Sequence, residues 1–173
     1  QIVLARLMVQ SEVGVVFMGM SLAAFLSLVI TGGYPQLAIT CLARYYTFGT
    51  RKAMDAFHYA FWADSLWMAA VVAVLAAISF YFFPLSEGVR IAILFGCLSA
   101  PPSALIRMNS AIANTVRRYT LSYVPDFLFR PGLLLLYLVT SWAMGWQLKT
   151  TDVLTAFVLS NLVIALGQAW ALG

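Results

Sequence analysis

From Val13 to Ala43 the chain carries no charged side chain, and most of that stretch is apolar. So long an uncharged run is buried either in a very large core or in lipid. A chain of 173 residues does not build a very large core. A helix needs about 20 mostly apolar residues to cross the hydrocarbon of a bilayer. The pattern recurs at Ala56–Phe83 (with Asp64 as its one charge), Ile91–Ile106, Pro131–Trp146 (which its entry from Asp126 makes long enough to cross) and Val153–Leu172. Composition agrees: 63% of residues are hydrophobic and 9% charged, against roughly 45–50% and about 25% in soluble domains. A water-soluble enzyme, a disordered chain and a disulfide-rich secreted module are excluded on this ground. Cys41 and Cys97 lie in apolar surroundings and read as small buried hydrophobes, not as a disulfide or a metal pair.

Polar breaks divide the runs. Gln1–Val9 is too short to span and reads as the tail of a first helix, closed by Gln10, Ser11 and Glu12. Val13–Ile30 spans, and Thr31-Gly32-Gly33-Tyr34-Pro35 stops it. Gln36–Phe48 is a short amphipathic stretch, and Thr50–Ala56 is polar. Pro84–Arg90 and Gln147–Asp152 are turns, Arg107–Tyr119 is a more polar helix, and Tyr123–Arg130 is mixed. Pro101-Pro102 is expected to bend or break its helix, because two backbone donors are missing. Backbone groups in lipid must be satisfied within the segment, so continuous apolar runs predict helices; a transmembrane barrel would show short alternating segments. The expectation is an all-α, polytopic transmembrane bundle. It holds the end of helix one plus five spans, with 1–173 forming a single transmembrane domain. Gln1 in place of a methionine, and an apolar run reaching the end, suggest part of a longer membrane protein.

The net charge of +4 follows membrane topology better than nucleic-acid binding, because the cations flank the apolar runs. Arg44, Arg51, Lys52, Arg107, Arg117, Arg118 and Arg130 fall on one side, seven in all, against three (Arg6, Arg90 and Lys149) on the other. The richer side is expected to be cytoplasmic.

No catalytic, metal or cofactor motif occurs in the sequence. His58, the only histidine, sits among aromatics near the inner interface, either as an amphipathic interfacial residue or as a proton relay. Asp64 lies about two turns into its apolar run, where a carboxylate is costly. It is either hydrogen-bonded to a neighbouring helix or a coupling site for a cation or proton, with Ser65 beside it. Arg107 either snorkels to head groups or contacts an anion at the mouth of a cavity. Asp126 and Arg130 are four apart and pair if that stretch is helical. Asn161 and Gln168 share one helix face and suit interhelical hydrogen bonds.

Several of these elements together resemble a family. Ala5-Arg6-Leu7, Glu12-Val13-Gly14, Gly33-Tyr34-Pro35-Gln36 and Arg44-Tyr45 look like the amino-terminal part of polysaccharide-biosynthesis flippases, within the multidrug/oligosaccharidyl-lipid/polysaccharide exporter superfamily. Arg118, Tyr123-Val124-Pro125-Asp126 and Arg130-Pro131 are similar to that family's pattern around its fourth and fifth helices. The family often has an arginine a few residues before the position of Arg44, where this chain has Thr40-Cys41. The resemblance implies one lobe of a two-lobe transporter, the second lobe lying in the rest of the same chain. It also implies that a polyprenyl-pyrophosphate-linked oligosaccharide crosses the bacterial inner membrane for surface polysaccharide, lipopolysaccharide among them. Arg6, Arg44, Arg107 and Arg130 would then be the cations for the pyrophosphate, and the other partners would be membrane lipids. Two other readings stand beside it: a cation antiporter of the same superfamily, and a membrane-embedded enzyme of the glycan pathway. Short external turns weigh against the enzyme.

Overall fold

The computed structural model describes residues 8–49 and 51–172, without the side chains of Tyr46, Thr47 and Arg51. Residues 1–7 of the proposed tail of a first helix, Arg6 among them, lie outside the described residues. The chain is all-α, and five of its helices are long and apolar enough to cross a membrane. Helix α1 is Gln10–Thr31, and α2 is Tyr34–Leu37. A π-helical turn at Ala38–Leu42 leads into α3, Ala43–Phe48. Then come α4, Arg51–Phe82, and α5, Glu87–Thr115. The fourth span is composite: α6, Tyr119–Val124, a π-helical turn at Pro125–Phe129, and α7, Arg130–Ala143. Helix α8 is Thr150–Leu172.

The first break falls where the glycines are. Gly32 and Gly33 take left-handed φ values of 51° and 87°, which cost a glycine little. The Gly32 amide closes the end of α1 on the Leu28 and Val29 carbonyls, and Pro35 stands in the first turn of α2. This is the sharp stop the sequence predicts.

The prolines interrupt the helices less than a break would require. Helix α5 continues through Pro101 and Pro102 without a break. The tertiary structure holds it together, because this is the central helix, packed on α1 along much of its length and on α8 beyond. The mixed stretch Tyr123–Arg130 is likewise helical and belongs inside a span, Tyr119–Ala143. Pro125 has no N–H for the Leu121 carbonyl four residues back. The Gln168 side chain of α8 supplies that donor at 3.0 Å. A neighbouring helix thus repairs the ladder, which lipid cannot do.

Small residues set the closest helix contact. On α5, Gly88, Ala92 and Gly96 recur every four residues and face Val15, Gly19 and Leu22 of α1. A Cβ at Gly96 would stand 2.9–3.1 Å from three atoms of Leu22. Apolar burial gives little drive between helices in lipid, so close backbone approach and packing take its place. Helix α4 is the opposite case. Trp62, Leu66, Trp67, Val74, Leu75 and Tyr81 are all exposed on it, which suits a lipid-facing helix.

Antiparallel crossing gathers the end of α1, the start of α4, the end of α5, the start of α6 and the end of α8 at one end of the bundle. Tyr34 bonds Asp64 there, Thr115 bonds the Ala38 carbonyl, and Arg118 Nη1 caps the end of α8 on the Ala171 carbonyl at 2.9 Å. A crevice at the other end joins Ser11 and Glu12 to Glu87 and Lys149.

Candidate functional site

The polar residues of the spans meet inside the bundle. Asn161 lies near the middle of α8 and is fully buried. Its amide donates to Ser99 Oγ of α5 at 2.8 Å. Its carbonyl oxygen accepts from Arg130 Nε of α7, also at 2.8 Å. Arg130 Nη1 pairs with Asp126 Oδ1 at 2.9 Å across one turn, so the stretch is helical and the pair forms. The Arg130 guanidinium also lies 5.9 Å from the Phe157 ring centroid, within reach of a cation–π attraction.

Arg130 therefore sits near the middle of Tyr119–Ala143. The sequence reading counted it among the loop cations, and the depth of the residue corrects that. The span starts at Tyr119, ahead of the entry at Asp126 that the sequence suggests, and Pro131 stands in the first turn of α7. A guanidinium at that depth is costly unless paired, and here it has a carboxylate, an amide oxygen and an aromatic face.

Arg107 is the second cation of this region. It is half-buried on α5, about two turns from the helix end. Its Nε donates to Ser27 Oγ of α1 at 3.0 Å. Its Nη groups have no hydrogen-bond partner among the described residues. Arg107 lines a crevice of about 320 Å³. Helix α1 contributes Leu28 and Thr31 to its wall, and the α2 region contributes Gly33, Pro35, Gln36 and Ile39. From α5 come Arg107, Ser110, Ala111 and Asn114, and from the composite span Ser122, Tyr123, Asp126 and Phe127. Asn114 Oδ1 is buried there without a partner. Asn109, the other polar residue of this helix, is spent on packing: its amide donates to the Ala165 carbonyl at 3.1 Å.

The remaining sequence candidates fall elsewhere. Helix α4 has 32 residues and is about 48 Å long, well beyond the roughly 30 Å of hydrocarbon. Its first turns overshoot α1, so Asp64 comes level with the turn after α1 and accepts a hydrogen bond from the Tyr34 hydroxyl. That partner holds the Tyr34 phenol above its ordinary pKa, first through the hydrogen bond and then through burial and the carboxylate's charge. Asp64 is exposed, while Ser65 points inward with its hydroxyl unpartnered; the two do not share a site. Arg44 is exposed and lines a separate groove with Cys41, Tyr45 and Phe48. The structure thus brings Arg107 and Arg130 together around Asp126 and leaves Arg44 and Asp64 apart from them.

Ser27 and Ser99 were missed as members of this region, whereas Asn114, with Asn109 and Arg107, already made this helix too polar for a lipid-facing span. A serine among apolar residues gives no signal of its own. The spacing Gly19, Ala23, Ser27, Thr31, small residues every four along α1, marks the face on which Ser27 lies. Gln168 was expected to bond between helices and does so, to Ser110 at 3.2 Å and to the Leu121 carbonyl. Among the described residues no group of acidic, histidine and cysteine side chains is placed to hold a metal ion. No family model matches the chain, and no curated protein or solved structure shows significant similarity to it.

Proposed function

We propose that the chain is one lobe of a transporter that moves a polyprenyl-pyrophosphate-linked oligosaccharide across the bacterial inner membrane for surface polysaccharide, and that it is not an enzyme. The observation that carries this reading is the pair of guanidiniums among membrane-spanning helices. Arg107 and Arg130 are two cations set against one carboxylate, Asp126, which leaves a net positive charge where charge is costly. Arg107 also lines the crevice, and its Nη groups have no partner among the described residues. Planar guanidinium donors suit phosphate oxygens. A cation antiporter would need the balance reversed. The headgroup occupies the crevice while the lipid tail stays in the bilayer.

With Arg107 and Arg130 counted as interior, Arg44, Arg51, Lys52, Arg117 and Arg118 still mark the crevice end of the bundle, against Arg90 and Lys149 at the other. The crevice end therefore faces the cytoplasm, where lipid-linked substrates are loaded.

The test is export of surface polysaccharide in cells that lack their own flippase and express the whole protein. Arg107→Lys keeps normal protein abundance and loses most export, and Arg107→Ala loses more. Normal export by both variants at normal abundance refutes the reading.

A further inference from the structure

One wall of the crevice is loosely held. Helices α1 and α5 pack closely on each other and on α8, so the walls they supply belong to the core. Tyr119–Phe129 supplies Ser122, Tyr123, Asp126 and Phe127. Of this stretch only Ser122 and Pro125 are buried, while Tyr119, Tyr123, Phe127, Leu128 and Phe129 are each more than half exposed. Both its ends depart from regular helix. Just ahead of it, Arg117 takes a left-handed φ of 59°, which strains a residue that has a Cβ. At its far end lies the π-helical turn Pro125–Phe129. Such a turn holds one residue more than an α-helix and occurs mostly as a single turn, frequently at functional sites. The extra residue can pass along the helix toward Arg118 by exchanging backbone bonds, and each residue it passes turns by about 100°. Pro125 eases the exchange, because it has no N–H to give up. Beyond the turn the chain is fixed: Arg130 binds Asp126 and Asn161, and Leu138 is buried in the core. The side-chain tethers near its start are light. Gln168 Nε2 donates to the Leu121 carbonyl at 3.0 Å, and Arg118 Nη1 to the Ala171 carbonyl at 2.9 Å.

We infer that Tyr119–Phe129 is a strap that swings at these two ends and opens and closes the crevice while α7 stays in place. The strap needs the crevice and not a particular cargo, and so goes beyond the function proposed above. The whole protein, with Cys41 and Cys97 replaced by serine, carries spin labels in pairs at exposed positions. One pair is Thr120→Cys with Leu98→Cys, and the other is Leu136→Cys with Leu98→Cys, Leu98 on α5 being the fixed reference. Dipolar spectroscopy in lipid nanodiscs reads two distances for the first pair and one for the second. Arg117→Gly accepts the left-handed φ without strain and raises the share of the present conformation several-fold. Gln168→Leu removes the tether at Leu121 and lowers that share several-fold. Inorganic pyrophosphate is added as a separate arm. Two distances whose shares it leaves unchanged support the strap and count against the anionic cargo. A single distance for the first pair in every variant overturns the strap. Equal movement of both pairs, which would make the whole span the moving part, overturns it too, as do two distances whose shares neither Arg117→Gly nor Gln168→Leu shifts.

Discussion

Asn161→Leu tests whether the interior polar chain holds the bundle together. Leucine shares the branching and heavy-atom count of asparagine and is bulkier, so the substitution removes polarity and opens no space. Asn161 is 0% exposed, and it gives up two interhelical bonds at 2.8 Å, one to Ser99 and one from Arg130. A neutral side-chain bond between membrane helices is worth about 0.6 kcal/mol on average. A bond from a charged donor is worth about 1.5–3 kcal/mol. Arg130 keeps Asp126, so no bare charge results, and Ser99 can turn its hydroxyl to its own helix. The expected destabilisation is about 2–4 kcal/mol. Reversible unfolding of the purified protein in mixed micelles, with sodium dodecyl sulfate as denaturant, measures it. The companion variant Arg130→Met and the double variant close a cycle, and the double falls short of additivity by about 1–3 kcal/mol. A loss below about 0.5 kcal/mol for Asn161→Leu, or strict additivity, would show that the chain of bonds contributes nothing, and the argument from it would fail.

Gly96→Ala crowds Leu22 and should cost about 1–3 kcal/mol in the same assay, whereas Gly14→Ala meets nothing within 4 Å and should be neutral or stabilising; equal effects would dismiss the small-residue seam. In a variant with Cys41 and Cys97 replaced, cysteine at Lys52 or Arg118 should be shielded from an impermeant thiol reagent in intact cells and cysteine at Glu87 or Lys149 labelled; the reverse pattern inverts the topology. The Tyr34 phenol should ionise above the ordinary tyrosine value of about 10, because the Asp64 carboxylate accepts its proton bond. Alkaline difference titration against Tyr34→Phe reads that one group, and Asp64→Asn should bring its ionisation down; no change would mean that the bond is not formed in solution.

The sequence by itself determined the class and the number of crossings. Runs of about 20 apolar residues leave lipid as their only burial, and this is a property of length and charge along the chain. Glycines at 32 and 33 fixed the end of α1 for an equally local reason. The pairing of Asp126 with Arg130 followed from their spacing once that stretch proved helical.

The tertiary structure decided depth and company. Sequence placed Arg130 at the membrane surface because Pro125 lies within Tyr123–Arg130 and Pro131 follows it, yet a donor from Gln168 carries the helix past Pro125 and draws Arg130 to mid-span. Sequence left Asp64 between an interfacial hydrogen bond to a neighbouring helix and a coupling site; the overshoot of α4 brings it level with Tyr34, which supplies that bond, and Asp126 is the carboxylate that shares the crevice with Arg107. Such facts are illegible in one dimension because lipid is as apolar as a helix neighbour. Helices α1 and α8 are apolar nearly all round, so no stripe marks the packed face. The packed face is set by where small residues let backbones approach and where a polar group finds its partner, and both depend on helices distant in sequence.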